Sequence, residues 1–154
     1  MTGKWNADLA REVIAAHIHL EGPLLPILHA LQDRFDCVPQ EAVPVVAQAL
    51  NLSRAEVHGV VTFYHDFREK SAGRHVIKLC RAEACQSMGA EQGSAALLKA
   101  LGIDWGGTTR DGLVTVEPVY CLGLCAVAPG ALVDGAPRGR LDATKLRQVV
   151  ETLT

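Results

Sequence analysis

Cys80 and Cys85 in LCRAEACQSMGA, with Cys121 and Cys125 in VYCLGLCAVAPG, form two close pairs of thiols. Each pair closes a short loop, which is how a chain brings two thiolates to one metal centre, and two such loops together make a four-sulfur cage. The spacing is C-x4-C followed by C-x3-C. It matches neither the C-x4-C-x2-C of plant-type ferredoxins nor the C-x2-C-x2-C of the bacterial run. A single ion needs four sulfurs converging on one point, whereas a two-iron cluster takes one pair per iron, so two separated pairs favour the cluster. Zinc pairs fall in the same spacing range and remain an alternative. Two structural disulfides are disfavoured, because no secretory segment points to an oxidising compartment. The usual dithiol redox spacing, C-x-x-C, does not occur in the sequence.

A chain of 154 residues, 49% of them hydrophobic, is long enough to bury a core and to form one domain or two small ones. Its formal net charge of -2 argues against nucleic-acid binding. The opening stretch MTGKWNADLAREVIAAHIHLEGP places Asp8, Arg11 and Glu12 before any apolar run. That pattern predicts neither a signal peptide nor a membrane span, and so a cytoplasmic protein.

The first half reads as four short helices. Leu9, Val13, Ala16 and Leu20 share a face of a helix from about residue 6 to 21, which Gly22-Pro23 ends. Leu24, Leu28, Leu31 and Phe35 recur at helical spacing, with Pro26 tolerable in a first turn. A third helix is expected from Pro39 to Leu50. Ser53 and Glu56 then form an S-x-x-E capping box, with Leu52 and Val57 at the staple positions, ahead of a stripe of Val57, Val60, Val61 and Tyr64. The stripe reads as bundle core. A helix-turn-helix DNA reader is disfavoured because residues 40–64 carry Arg54 against Glu41 and Glu56.

Periodicity changes across the polar segment HDFREKSAGR, residues 65–74. His75 to Cys80 reads as a strand ending in a cysteine, Ser87 to Leu101 as a helix closed by Gly102, and Leu113 to Tyr120 as a second strand that again delivers a cysteine. Ala131 to Asp134 is a short third strand and GAPRG a turn. Asp142 caps a last helix with Leu146, Val149, Val150 and Leu153 inward. The order β-α-β-β-α predicts a small α/β unit with both cysteine loops at strand ends. Two domains are expected, a helical bundle over residues 1–70 and a cysteine-bearing unit over residues 71–154, the latter small enough that a bound cluster would add materially to its stability.

Other candidate sites are weaker. His17 and His19 stand two residues apart on one helix and do not face each other, so together they are poor ligands. His58 and His65 suit surface or interface packing. WGGTTRDG lacks G-x-G-x-x-G, so no dinucleotide site is predicted, and no Ser/His/Asp or Cys/His catalytic set is evident. Cys37, remote and unpaired, reads as a packed thiol. Backbone N–H groups of residues 81–84 and 122–124 are candidates to point at the sulfurs, with Gly123 permitting close approach. Arg81, beside Cys80, reads either as a nearby positive charge or as a solvated surface arginine.

LCRAEACQSMGA and VYCLGLCAVAPG resemble the thioredoxin-like [2Fe-2S] family, which includes the 24-kDa subunit of the NADH-dehydrogenase arm of complex I. VPQEAVPVVAQALNLSRAEVHGVVTFYHDF is similar to the family's helical part. Within the family, HGVVTFYHDFREKSAGRHVIKLCRAEACQSMGA is most similar to the gamma subunit of cytosolic, molybdenum-containing, NAD-dependent formate dehydrogenases. The resemblance implies an α/β (α+β) protein, a small helical bundle followed by a thioredoxin-like [2Fe-2S] ferredoxin domain. It implies Cys80, Cys85, Cys121 and Cys125 as ligands of one [2Fe-2S] cluster. It further implies an electron-transfer subunit that is not catalytic alone. Its partners would be a flavoprotein subunit binding FMN and NAD(H) and a molybdenum-containing formate-oxidising subunit. Equivalent subunits of complex I or of an NAD-reducing hydrogenase share this chemistry. A zinc-stabilised interaction module is the alternative of another class.

Overall fold

Asn6 starts the first helix by accepting hydrogen bonds on its side-chain oxygen from the N–H groups of Asp8 (2.9 Å) and Leu9 (3.1 Å). In the computed structural model, which describes residues 5–153, this helix, α1, spans Ala7–His17. It stops short of the expected end because the chain turns at Leu20, whose N–H bonds the His17 carbonyl. Leu20 is therefore exposed, and Ala10 and Ile14 are the buried positions, flanked by Leu9 and Val13. The chain divides into two compact units, Met1–Ser71 and Ala72–Thr154. Residues 1–4 and 154 of the expected domains lie outside the described residues.

The first unit is a bundle of four helices. After α1 comes α2 (Leu24–Phe35), with Pro26 third in the helix, where its missing N–H leaves no bond unmade. α3 (Ala42–Leu50) begins three residues later than expected, because Pro39 and Gln40 make a turn whose carbonyls accept from Ala42 and Val43. α4 (Arg54–Phe63) carries the full capping box. The Ser53 hydroxyl accepts from the Glu56 N–H at 3.1 Å, and the Glu56 carboxylate accepts from the Ser53 N–H at 2.8 Å. Such a cap contributes about 1 kcal/mol. Ile27, Leu28, Leu31, Val46 and Val57 are fully buried at the centre of this bundle. The stripe on α4 is narrower than expected, since Tyr64 lies beyond the helix end and is exposed.

The second unit is a four-stranded mixed sheet with helices packed on it. β1 (His75–Cys80) is followed by α5 (Glu83–Ser87), α6 (Ala90–Leu101), β2 (Val114–Val119), β3 (Ala131–Val133), β4 (Ala136–Arg138) and α7 (Ala143–Glu151). The strand order is β2-β1-β3-β4, with β1 parallel to β2 and both other pairings antiparallel. Leu97, Leu98 and Leu146 of the helices close the core formed by Ile77, Leu79, Val114 and Val116 of the central strands.

In this second unit two details differ from what the sequence predicts. The helix expected from Ser87 to Leu101 begins only at Ala90, because Gly89 at φ +87° separates it from α5, a short helix around Cys85 that the sequence did not announce. GAPRG is not all turn. Asp134 (φ +50°) and Gly135 (φ +80°) make a two-residue hairpin turn, and Ala136–Arg138 is a strand, its Pro137 tolerated on the sheet edge. Among the described residues no helix is long and apolar enough to cross a membrane.

The hairpin turn also ties down the start of β1. Asp134 accepts from the Val76 N–H at 2.8 Å and shares a 2.7 Å hydrogen bond with His75 Nδ1. Burial would raise the Asp134 carboxyl, but the bonds from His75 and Val76 hold it below its ordinary value. A carboxylate depressed in the folded state stabilises the protein above its unfolded pKa of about 4, and that stabilisation is lost as pH falls through the lower folded value. Asp134→Asn is therefore expected to lower the melting temperature near neutrality, with the gap from wild type closing below about pH 4. Thermal unfolding across that range checks this, and a gap independent of pH would contradict it.

Candidate metal centre

Cys80 is the last residue of β1 and lies opposite Val119, the last residue of β2. Because the two strands run parallel, Cys80 and Cys121 leave the sheet at the same end. Cys85 is returned toward Cys80 by α5, its N–H bonded to the Ala82 carbonyl at 3.0 Å. Gln86 closes that loop by donating from Nε2 to the Arg81 carbonyl at 2.6 Å. In the second pair, Cys121 (φ +72°) and Gly123 (φ +73°) both adopt left-handed backbone, which reverses the chain so that Cys125 opens a 3-10 turn over Cys125–Val127.

Cys80 and Cys85 are 3% and 2% exposed, packed with Ala90, Ala82, Val119, Leu122 and Ala128. Cys121 and Cys125 are exposed. The thiols meet two by two, Cys80 hydrogen-bonded to Cys85 and Cys121 to Cys125, and Cys125 lies within electrostatic range of both buried sulfurs. Burial alone would raise the Cys80 thiol. The N–H groups of Ala82, Cys121 and Leu122, with the Cys85 thiol, outweigh it and hold Cys80 below its ordinary value. Cys85 is pushed up by burial, offset in part by the Gly130 N–H, and by the neighbouring Cys80. Cys125 is pushed up by its hydrogen bond to Cys121 and by the charge there.

These directions describe a site that favours negative charge at Cys80 and resists it at Cys85 and Cys125. Cationic metal removes that conflict, so filling the site would release protons. Among the described residues, no three His, Cys, Asp or Glu side chains gather closely enough to hold one metal ion. A pairwise arrangement with N–H donors aimed at sulfur suits a two-iron centre, one pair to each iron, and on this test the donor set fits.

The N–H donors of Ala82 and Leu122 fall within the loops singled out from the sequence, whereas Gly130 was hidden there as ordinary turn punctuation. Its carbonyl accepts from the Cys80 N–H at 3.1 Å and its N–H reaches the Cys85 sulfur. Gly139 was hidden in the same way. The chain approaches so closely there that a Cβ would lie 2.6 Å from Val127 Cγ2 and 2.8 Å from the Val127 carbonyl oxygen. That approach lets the N–H of Arg140 bond the Val127 carbonyl at 2.6 Å and the N–H of Leu141 bond the Pro129 carbonyl at 3.0 Å, clamping the turn that begins at Cys125.

The remaining candidates sit elsewhere. Cys37 is buried within the first unit, 3.9 Å from the Ser71 hydroxyl, with its thiol raised by burial. His17 bonds its own helix at the Val13 carbonyl, and His19, His58 and His65 are exposed. Arg81 is not a solvated arginine, since it packs over Trp105 and pairs with Glu91.

Against known proteins, residues 10–154 match the family described as thioredoxin-like [2Fe-2S] ferredoxin. An NADH-quinone oxidoreductase subunit from Pseudomonas aeruginosa is 34% identical over 136 residues, 86% of this chain and 82% of that relative. The NADP-reducing hydrogenase subunit HndA from Solidesulfovibrio fructosivorans is 32% identical over 130 residues, 84% of this chain and 76% of that one. Among solved structures, an NAD+-reducing [NiFe]-hydrogenase in its air-oxidized state superposes with a TM-score of 0.70 at 28% identity, covering 84% of this chain and 22% of the other.

The clamp at Gly139 is directly testable. Gly139→Ala is expected to cost about 1–3 kcal/mol, the usual penalty of overpacking, and to loosen the Cys125 turn. Thermal unfolding measures the first effect and the rate at which Cys125 reacts with a thiol reagent in the metal-free chain measures the second. Wild-type stability and reactivity would show that the turn does not depend on this contact.

Proposed function

This chain belongs to the thioredoxin-like [2Fe-2S] ferredoxin family, and from that premise we propose that it is the electron-transfer subunit of a larger NAD(H)-linked oxidoreductase. One [2Fe-2S] cluster is held in it by Cys80 and Cys85 on one iron and by Cys121 and Cys125 on the other. The observation that carries this reading is the pairing of the four thiols at one end of β1 and β2, one pair sealed and one pair open.

When bound, the cluster supplies one-electron storage, which a protein side chain cannot. The chain's own residues do the rest. Cys80 and Cys85 exclude water from one edge, and the N–H groups of Ala82, Leu122 and Gly130 offset negative charge at the buried sulfurs. Cys121 and Cys125 lie at the surface beside Tyr120, 67% exposed, with Met88 beyond the first loop 62% exposed. Electron tunnelling falls steeply with distance, so this open edge is the side that faces the redox partner.

That partner is an FMN- and NAD-binding flavoprotein subunit, with the helical first unit as the docking element. Cys37 has no part in the centre. The parent enzyme we propose is a cytoplasmic NAD-dependent formate dehydrogenase with a molybdenum-containing formate-oxidising subunit, a reading that rests on the likeness of HGVVTFYHDFREKSAGRHVIKLCRAEACQSMGA to the gamma subunits. The second reading, an NADH-quinone oxidoreductase or a hydrogenase, is favoured by the names of the relatives. Co-purification of the tagged chain from its own cells separates the two, since a molybdenum-containing subunit accompanies it only in the first.

Replacing Cys80, Cys85, Cys121 or Cys125 singly by Ala is expected to abolish or severely deplete bound iron and sulfide, whereas Cys37→Ala leaves both at wild-type levels. Visible absorbance with iron and sulfide analysis reads the outcome. Full occupancy in Cys121→Ala, or loss in Cys37→Ala, would overturn the assignment of ligands.

A further inference from the structure

Arg81 follows Cys80 directly, and its side chain is fixed rather than free. The guanidinium carbon lies 4.8 Å from the centroid of the Trp105 ring, and Nη2 lies 3.4 Å and 3.3 Å from the two carboxylate oxygens of Glu91. Its Nε is buried and, among the described residues, is the buried side-chain nitrogen or oxygen left without a hydrogen-bond partner. Both anchors are themselves placed. Trp105 packs against the core of the second unit, and Glu91 follows Ala90, which packs against Cys80 and Cys85.

A stack of this kind is mildly stabilising, while a buried N–H without an acceptor is destabilising. The two oppose each other, so stability alone gives little reason for a guanidinium at this position. What the arrangement does achieve is a positive charge fixed one residue along the chain from Cys80 and partly withdrawn from solvent. A free surface arginine would swing into water and be screened.

We propose that Arg81, positioned by Trp105 and opposed by Glu91, sets the reduction potential of the centre formed by the four cysteines. The proposal rests on the cluster assignment above. Reduction adds one electron and neither makes nor breaks a bond, so the site gains one unit of negative charge. A cation fixed next along the chain from Cys80 stabilises the reduced form more than the oxidised one and raises the potential; the Glu91 carboxylate acts in the opposite sense.

The test is a dithionite titration of the cluster-loaded full chain, followed by electron paramagnetic resonance. Arg81→Gln should shift the midpoint to more negative values, and Arg81→Lys, which keeps the charge, should stay closer to wild type. Glu91→Gln should shift it to more positive values, and because that side chain is 54% exposed the fold should be undisturbed. Trp105→Leu should move it in the direction of Arg81→Gln, by less. A structural role alone would lower thermal stability in these variants and leave every midpoint at the wild-type value. Unchanged midpoints, or shifts of the same sign in Arg81→Gln and Glu91→Gln, would overturn this proposal while leaving the cluster assignment standing. Absence of a [2Fe-2S] signal in the wild-type chain would overturn both.

Discussion

The parallel pairing of β1 with β2, His75 opposite Val114 through to Cys80 opposite Val119, is the constraint on which the centre depends. Two parallel strands deliver the residues that follow them to one end of the sheet, and here each is followed by a cysteine loop. The pairing is held from beneath by Ile77, Leu79, Val114 and Val116, and at its start by Asp134, which reaches from the β3–β4 turn to the Val76 N–H. A shift of register by one residue would turn these apolar side chains away from the core and carry Cys80 off its partner.

Around that frame the two loops are built differently, and the difference bears on function. The first is a short helix sealed by Ala90 and Val119, which buries its sulfurs. The second is a left-handed reversal at Cys121 and Gly123 that leaves its sulfurs exposed. Gly130 joins the two by bonding the Cys80 N–H with its carbonyl and the Cys85 sulfur with its N–H. An electron centre needs both qualities, shelter from water on one side and close approach of a partner on the other.

Most of this was legible in the sequence where a local rule governs the outcome. The C-x4-C and C-x3-C loops after apolar runs, the S-x-x-E box at Ser53 and Gly102 after the α6 run each carry their physics in a few neighbouring residues. The failures arose where distant parts of the chain decide. α1 is an exception, ended by a local turn in which the Leu20 N–H bonds the His17 carbonyl, although Leu20 kept the apolar spacing. β4 exists because β3 offers it an edge, which APR by itself does not announce. Gly130 and Gly139 act through contacts with Cys80, Cys85 and Val127, and no local pattern marks such contacts. Arg81 left two readings open until Trp105 and Glu91 were seen beside it.

Under the proposed assignment the four thiols would hold a two-iron cluster rather than a single ion. Metal and acid-labile sulfide analysis of the purified full chain, paired with an electron paramagnetic resonance spectrum after dithionite reduction, tests it most directly. A two-iron centre gives a red-brown protein with iron and sulfide in equal amounts and one unpaired electron per reduced centre. A colourless protein containing zinc, no sulfide and no signal on reduction would contradict the assignment.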